Sequence, residues 1–278
     1  MKYPFKKYLK KDLINEYNIL KNKLNEYNPN KNIKYSRIGL KCSNNFFQYE
    51  RIKTPSQGKI SCYDYWKKNY KKVIEYHNKS NSNSDLFATI IFLNHGPSQF
   101  PTFIAGQIYK KFNASKILDP FAGWGDRCLA AMSLNLDYTG IDLNSALKPY
   151  YKNMIDYYDT KSKIKMYFKN CMDVDLNKID FDFVLTSPPY WSKDKKLLEK
   201  YNKTDDDYDF FMNSILIPFI IKCKRKNSDI VVCINMPEMM YNDVKKEIGK
   251  CNRKITFTTH YNSRSKNTNK KKKIIYCF

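Results

Sequence analysis

Two stretches of the chain carry residue types whose spacing could do chemistry. The first is Asp119-Pro120-Phe121-Ala122-Gly123-Trp124-Gly125, which ends the short apolar run Lys116 to Leu118. An acid and a proline stop the run, two glycines one residue apart turn the backbone, and a helix-forming segment follows. Strand, glycine turn, helix is how a nucleotide-shaped ligand is held at the carboxyl end of a parallel sheet. Gly123 and Gly125 let the backbone turn tightly and approach the ligand with no Cβ in the way. The pattern is not the dinucleotide fingerprint, because Cys128 stands where G-x-G-x-x-G needs its third glycine. With no hydride-transfer residues on offer either, a dehydrogenase is excluded. The second stretch is Phe183 to Thr186, an apolar strand that runs into Ser187-Pro188-Pro189-Tyr190-Trp191. Two prolines fix φ and remove two amide donors, so the loop is stiff and its carbonyls are free for a ligand. Tyr190 and Trp191 then offer flat faces.

Asp-Pro-Phe-x-Gly-x-Gly followed by Ser-Pro-Pro-Tyr, each at a strand end, resembles the S-adenosylmethionine-dependent amino-methyltransferases of DNA. These modify N4 of cytosine or N6 of adenine. The likeness runs from about Phe100 to the C-terminus. It implies a Rossmann-like class I methyltransferase fold and S-adenosylmethionine as cofactor. It places Asp119, Trp124 and the two glycines at the methionine portion of the cofactor, with Phe121 packing against it. The segment Phe100-Pro101-Thr102-Phe103 resembles, more loosely, the family's segment that closes over the methionine end; an ordinary helix start with Pro101 in its first turn gives the same residues. Asp142, ending the second strand, would accept from both ribose hydroxyls, and Asp173, after the third, from the adenine amino group. Helix caps or turn acids are the plainer reading of both. The catalytic set implied is Ser187, Pro188, Pro189 and Tyr190. The Ser187 side chain and the Pro188 carbonyl would take the two amino protons, localising a lone pair that is otherwise delocalised into the ring, while Tyr190 stacks on the base. The work is positioning and electrostatics, with no strong general base. Ser at 187 leans to N4 of cytosine.

The elements that must hold these residues alternate. Strands are expected at Lys116–Asp119, Asp137–Ile141, Ile164–Phe168, Phe183–Thr186 and Ile230–Asn235. Helices are expected at Arg127–Asn135, Ala146–Tyr158, Tyr208–Lys226 with a kink at Pro218, and Met239–Lys250. A closing hairpin is expected from Ile255–His260 and Ile274–Phe278. Such alternation gives a mostly parallel sheet covered on both faces. Residues 85–278 are thus expected to form the methyltransferase domain. Residues 1–84 read as a basic, mainly helical extension for nucleic-acid contact or target recognition. It holds helices at Lys7–Tyr27 and Tyr63–His77, an irregular stretch at Asn32–Ser61 and a polar linker at Asn78–Ser84.

The chain has 278 residues and a formal net charge of +23. Residues 1–84 alone hold 19 Lys+Arg against 6 Asp+Glu. Such charge points to a polyanionic partner, DNA first and RNA as alternative; a Lys- and Asn-rich composition from an AT-rich genome gives the same number. Tyr65-Trp66-Lys67-Lys68-Asn69-Tyr70-Lys71-Lys72 suits phosphate contact with base stacking, or equally an aromatic core stripe beside a solvated Lys face. Arg264, Lys266 and Lys270 to Lys273 form a basic hairpin loop, and Lys193 to Lys203 a strand clamp. Eight cysteines show no metal spacing, so a reducing compartment and no metal are expected. No window spans a membrane and no signal segment leads the chain, so the protein is expected to be soluble and intracellular. With only Ser192 to Asp207 between Ser-Pro-Pro-Tyr and the next helix, a large target-recognition insert is absent. The target reader is therefore missing, or it is residues 1–84, or a partner supplies it; the partners implied are a separate specificity subunit or a nuclease. Two readings compete with the DNA enzyme: an RNA base amino-methyltransferase, and a non-catalytic nucleic-acid-binding subunit on a methyltransferase fold.

Overall fold

The computed structural model describes residues 1–56, 59–80, 85–189, 205–260 and 270–278. Five strands run parallel: β1 (Lys116–Asp119), β2 (Asp137–Ile141), β3 (Ile164–Tyr167), β4 (Phe183–Thr186) and β5 (Val231–Asn235). An antiparallel pair, β6 (Arg253–His260) and β7 (Lys270–Cys277), completes one seven-stranded sheet in the order β3-β2-β1-β4-β5-β7-β6. The strands read as continuous apolar runs because both faces are covered. Successive side chains alternate, so Ile117, Phe183 and Leu185 enter one core while Leu118 and Val184 enter the other. The strand order reverses between β1 and β4. Open α/β sheets bind ligands in the crevice at such a switch point. This is the expected Rossmann-like α/β fold with its C-terminal antiparallel pair.

Helices α1 (Lys10–Asn25), α2 (Leu40–Lys53), α5 (Thr102–Lys111), α6 (Asp126–Ser133) and α7 (Lys148–Tyr157) cover the first face. The second carries α8 (Asp205–Phe211), α9 (Ile217–Lys226) and α10 (Glu238–Ile248). Between α8 and α9, Met212–Leu216 forms one π-type turn just ahead of Pro218. A proline cannot donate to the carbonyl four residues back and its ring crowds it, and the wider turn accommodates both.

The N-terminal part departs from expectation in three ways. Asn32–Ser61 is not irregular throughout, because α2 fills nearly half of it. The boundary at 84/85 does not separate two bodies. Leu20 and Leu24 of α1 and Cys42 and Phe47 of α2 lie in the same core as Ala130 and Leu185, and Gly106 of α5 lies directly under Leu24. Third, α3 (Cys62–Lys79) does not present its tryptophan for stacking. Trp66 is buried with Tyr3, Ile52, Val73, Phe87 and Ile90, in a small cluster shared with α4 (Leu86–Asn94), and its indole N–H donates to the Lys2 carbonyl. The Lys67, Lys68, Lys71 and Lys72 side chains form an exposed face. For Trp66, core stripe and solvated face is the reading that holds.

Two further corrections concern the end of the chain. Lys270 to Lys273 are strand, not loop, since pairing of β6 with β7 continues out to His260 opposite Lys270. Backbone pairing needs no apolar side chains, so the lysines do not stop it. The cysteines are not all free: Cys233 and Cys277 stand opposite one another in the register of β5 and β7 and are joined by a disulfide. Among the described residues no group of His, Cys, Asp or Glu could hold a metal ion, and no helix is long and apolar enough to cross a membrane.

Candidate functional site

The two chemical stretches meet across the switch point, and Asp119 is what joins them. Its side chain is completely buried. Arg127, the second residue of α6, donates from Nε to Oδ2 at 2.6 Å and from Nη2 to Oδ1 at 3.3 Å. The Tyr138 hydroxyl of β2 donates at 2.7 Å and the Thr186 hydroxyl of β4 at 2.7 Å. The amide of Phe121 adds a longer bond of 3.3 Å. Asp119 therefore ties β2, β1, α6 and β4 into one unit. Every direction around its carboxylate is taken by an internal donor. Arg127 reaches past it to the Phe121 carbonyl at 2.6 Å and lies over the Phe100 ring at 5.1 Å. Burial disfavours the guanidinium charge, but Asp119 and Tyr138 more than compensate, leaving the group held firmly protonated. Breaking such a pair by removing one partner costs about 3–5 kcal/mol.

The two glycines play different parts. Gly123 has φ of +60°, and among the described residues a Cβ built on it would meet nothing nearer than the Phe121 carbonyl at 3.8 Å. Its amide donates to Asp142 Oδ2 at 2.7 Å and its carbonyl accepts from the Tyr151 hydroxyl at 3.0 Å. Gly125 has φ of +74°, but a Cβ there would lie 2.4 Å from the ring of Phe47. The missing side chain at 125 makes room for Phe47 of α2. Trp124 between them is half-buried against the first core.

Asp142 is half-buried at the end of β2. It accepts from the amides of Gly123 and, through Oδ1, of Asn144 at 2.9 Å. Burial pushes its carboxyl up while these two amides pull it down. Two amides leave free lone pairs, since a carboxylate has room for about four bonds. Phe121 packs at the edge of the second core, its ring 5.8 Å from that of Phe211. Asp173 closes a short 3₁₀ turn after β3 and is exposed. Beyond β4, Ser187 is half-buried, Pro188 buried and Pro189 exposed. Tyr190, Trp191 and the lysines from Lys193 to Lys203 lie outside the described residues, as do Arg264 and Lys266.

Pro101 precedes the first residue of α5, as the plainer reading had it. Thr102 is fully buried with its methyl and Cβ against Gly39, so its side chain faces α2 and not the crevice. Its hydroxyl has no hydrogen-bond partner among the described residues.

Four residues of this arrangement were not singled out from the sequence: Arg127, Tyr138, Phe47 and Asp126. Asp126 follows Gly125 and is buried. It accepts from the Ser43 hydroxyl of α2, from Gln99 Nε2 at 3.0 Å and from the Phe100 amide at 3.2 Å. Burial pushes its carboxyl up to about 6, against the pull of these donors and of Arg51. An acid in the first turn of a helix is an ordinary dipole feature, so nothing local marks it.

No family model matches the chain, and no curated protein matches it. Among solved structures it is similar to SMU.472, described as a methyltransferase and complexed with SAH, at 15% identity and a TM-score of 0.43 over 64% of this chain and 52% of that one. A second is the Pyrococcus abyssi tRNA (uracil-54, C5)-methyltransferase in complex with S-adenosyl-L-homocysteine, at 15% identity and a TM-score of 0.37 over 65% and 39% of the two chains. A third, PH1948 from Pyrococcus horikoshii, is described as an RNA methyltransferase, at 15% identity and a TM-score of 0.42 over 64% and 84%. The chain thus spans about half the length of the first and 39% of the second.

Proposed function

We propose that the protein transfers a methyl group from S-adenosylmethionine to an exocyclic amino group of a flipped base in DNA, N4 of cytosine before N6 of adenine. One observation carries the reading. The Gly123 turn and Ser187-Pro188 follow adjacent strands on either side of the reversal in strand order, with Asp142 on the next strand and Asp119–Thr186 bridging the gap.

The residues present fit the cofactor. Gly123 offers backbone that a ligand can approach, and Asp142, already oriented by two amides, has lone pairs for a ribose diol. The bound cofactor supplies an electrophilic methyl on a sulfonium. Asp173, exposed after β3, is the acceptor assigned to the adenine amino group. Phe121 and Trp124 flank the turn. Asp119 and Arg127 position that turn without touching the ligand.

Ser187 and the Pro188 carbonyl hold the target amino group so that its lone pair points at the methyl. Pro189 keeps that loop stiff, and Tyr190 stacks on the extruded base. Stacking of this kind is worth about 1–3 kcal/mol, against a flipping cost of a few kcal/mol.

The test is methyl transfer from labelled S-adenosylmethionine to mixed genomic DNA and to total RNA in parallel, with digestion to nucleosides. N4-methylcytosine in DNA is expected. Ser187→Ala should lower kcat about tenfold or more, the value of one hydrogen bond strengthened in the transition state, and Tyr190→Ala should weaken DNA use while S-adenosylhomocysteine binding persists. N6-methyladenine would keep the reaction and change the base. Label only in RNA would replace DNA by the alternative substrate. Absence of label, with cofactor and DNA both bound, would make the chain a binding subunit.

A further inference from the structure

Past the end of β5 the sheet continues as two strands only. Asn235, the last residue of β5, lies opposite Ile275, yet β6 and β7 go on pairing from Thr256–Ile274 to His260–Lys270. At about 3.4 Å per residue in an antiparallel strand, these five pairs carry the ribbon ~17 Å beyond its neighbour. The direction is set by the register. β5 is parallel to β4, and β7 is antiparallel to β5, so the ribbon extends from the carboxyl edge of the sheet, the edge that also carries the Gly123 turn and Ser187. Phe257, buried in the first core, roots it. Beyond that root Thr258 and Lys272 are exposed.

The charge on this arm has one sign. From Arg253 to Phe278 the sequence holds eight Lys+Arg and no Asp or Glu. Lys272 is exposed on the face it shares with Thr258, and Lys273, the next residue, falls on the other, because side chains alternate along a strand. Shielding an edge strand from aggregation needs charge too, but one lysine on the outer strand would serve. Here four consecutive lysines occupy the strand nearer the site.

We infer that the β6–β7 ribbon is the surface on which duplex DNA docks, entering the major groove beside the base to be methylated. The inference rests on the reading that the substrate is a nucleic acid, and it discriminates between the two kinds. The major groove of B-form DNA, about 12 Å wide and 8.5 Å deep, admits a two-stranded ribbon. The deep, narrow major groove of A-form RNA does not. A ribbon with lysines on both faces reaches the phosphates of both groove walls, and Thr256 and Thr258 lie on the same face as Lys272.

The experiment is equilibrium binding of the full chain to a ~25-base-pair DNA duplex and to an RNA duplex of equal length, as a function of salt. Wild type is compared with K270A/K272A on the ribbon and with K67A/K71A, which removes the same charge from the exposed face of α3. The ribbon variant should bind DNA at least about tenfold more weakly near 100 mM salt. Its slope of log affinity against log salt should fall by ~2, near the 0.9 expected for each lost phosphate contact. The α3 variant should change both far less, and wild type should prefer DNA to RNA. S-adenosylhomocysteine binding and melting temperature, unchanged in both variants, confirm that the fold is intact. If wild type binds DNA tightly and K270A/K272A matches it, or if the α3 variant loses as much, the ribbon is not the docking surface, while the proposed reaction survives. Equal loss on RNA would remove the groove argument. If wild type binds neither nucleic acid, the inference and the substrate reading fall together.

Discussion

The two helical pairs at the start of the chain look alike in sequence and behave differently in the fold. The first pair holds six lysines and two tyrosines and the second five and four, all of the latter on α3. Yet α1 and α2 form a wall of the site: Phe47 occupies the space that Gly125 leaves, Ser43 donates to Asp126, and the Glu16 carboxylate caps α2 by accepting from the Gly39 amide at 2.9 Å. The pair α3 and α4 instead closes its own aromatic cluster around Trp66, and only Ile52, at the end of α2, joins that cluster from the first pair. Net charge describes the company a protein keeps, not how its helices pack. The split depends on where the large apolar side chains find partners.

Truncating one anchor in each region tests the split most strongly. Phe47→Ala and Trp66→Ala should each cost about 3–5 kcal/mol in urea unfolding, as buried aromatic-to-alanine changes do. Only Phe47→Ala should also weaken S-adenosylhomocysteine binding. Equal loss of cofactor affinity in both would mean that α3 and α4 support the site as well. Gly125→Ala comes next. It combines a left-handed backbone, costing about 1–2 kcal/mol, with overpacking against Phe47, costing about 1–3 kcal/mol. Gly123→Ala, which meets open space, should show only the backbone cost in stability and its main effect in cofactor affinity. Similar unfolding midpoints for the two would remove the distinction between the glycines.

The smallest effect is a pH dependence. The folded-state pKa of Asp126, about 6, lies above the ordinary carboxylate value, so the folded protein holds this proton more tightly than the unfolded chain. Its contribution is fully present below about pH 4 and is lost as pH rises through 6. Asp126→Asn should therefore gain on wild type by about 1–3 kcal/mol between pH 4 and pH 7. A constant difference across that range would place the carboxyl outside the buried network.

Much of the sheet was legible in the sequence. β1, β2 and β4 coincide with their expected spans, because a strand covered on both faces needs an unbroken apolar run. The glycine turn and the proline loop were legible for a similar reason: backbone geometry restricts residue type within a few positions. Helix α2 was not. Ser43, Asn44, Gln48 and Arg51 sit on its buried side, so its sequence shows no apolar period. Those polar groups are tolerated because distant partners satisfy them: Asp126 for Ser43, the Lys6 amide and carbonyl for Gln48, the Pro97 carbonyl for Arg51.

The site divides along the same line. The sequence by itself determined which strand ends carry a glycine turn, an acid and a stiff proline loop, since each is a local demand on φ or on hydrogen bonding. Only the tertiary structure decided that Asp119 is a buried keystone, that Gly125 serves Phe47, and that the lysines of β7 extend from the edge carrying the site. Ser43 and Asp126 are 83 residues apart, and Asp119 and Thr186 are 67 apart. A buried carboxylate must find its donors wherever folding brings them, and no spacing along the chain records which they will be.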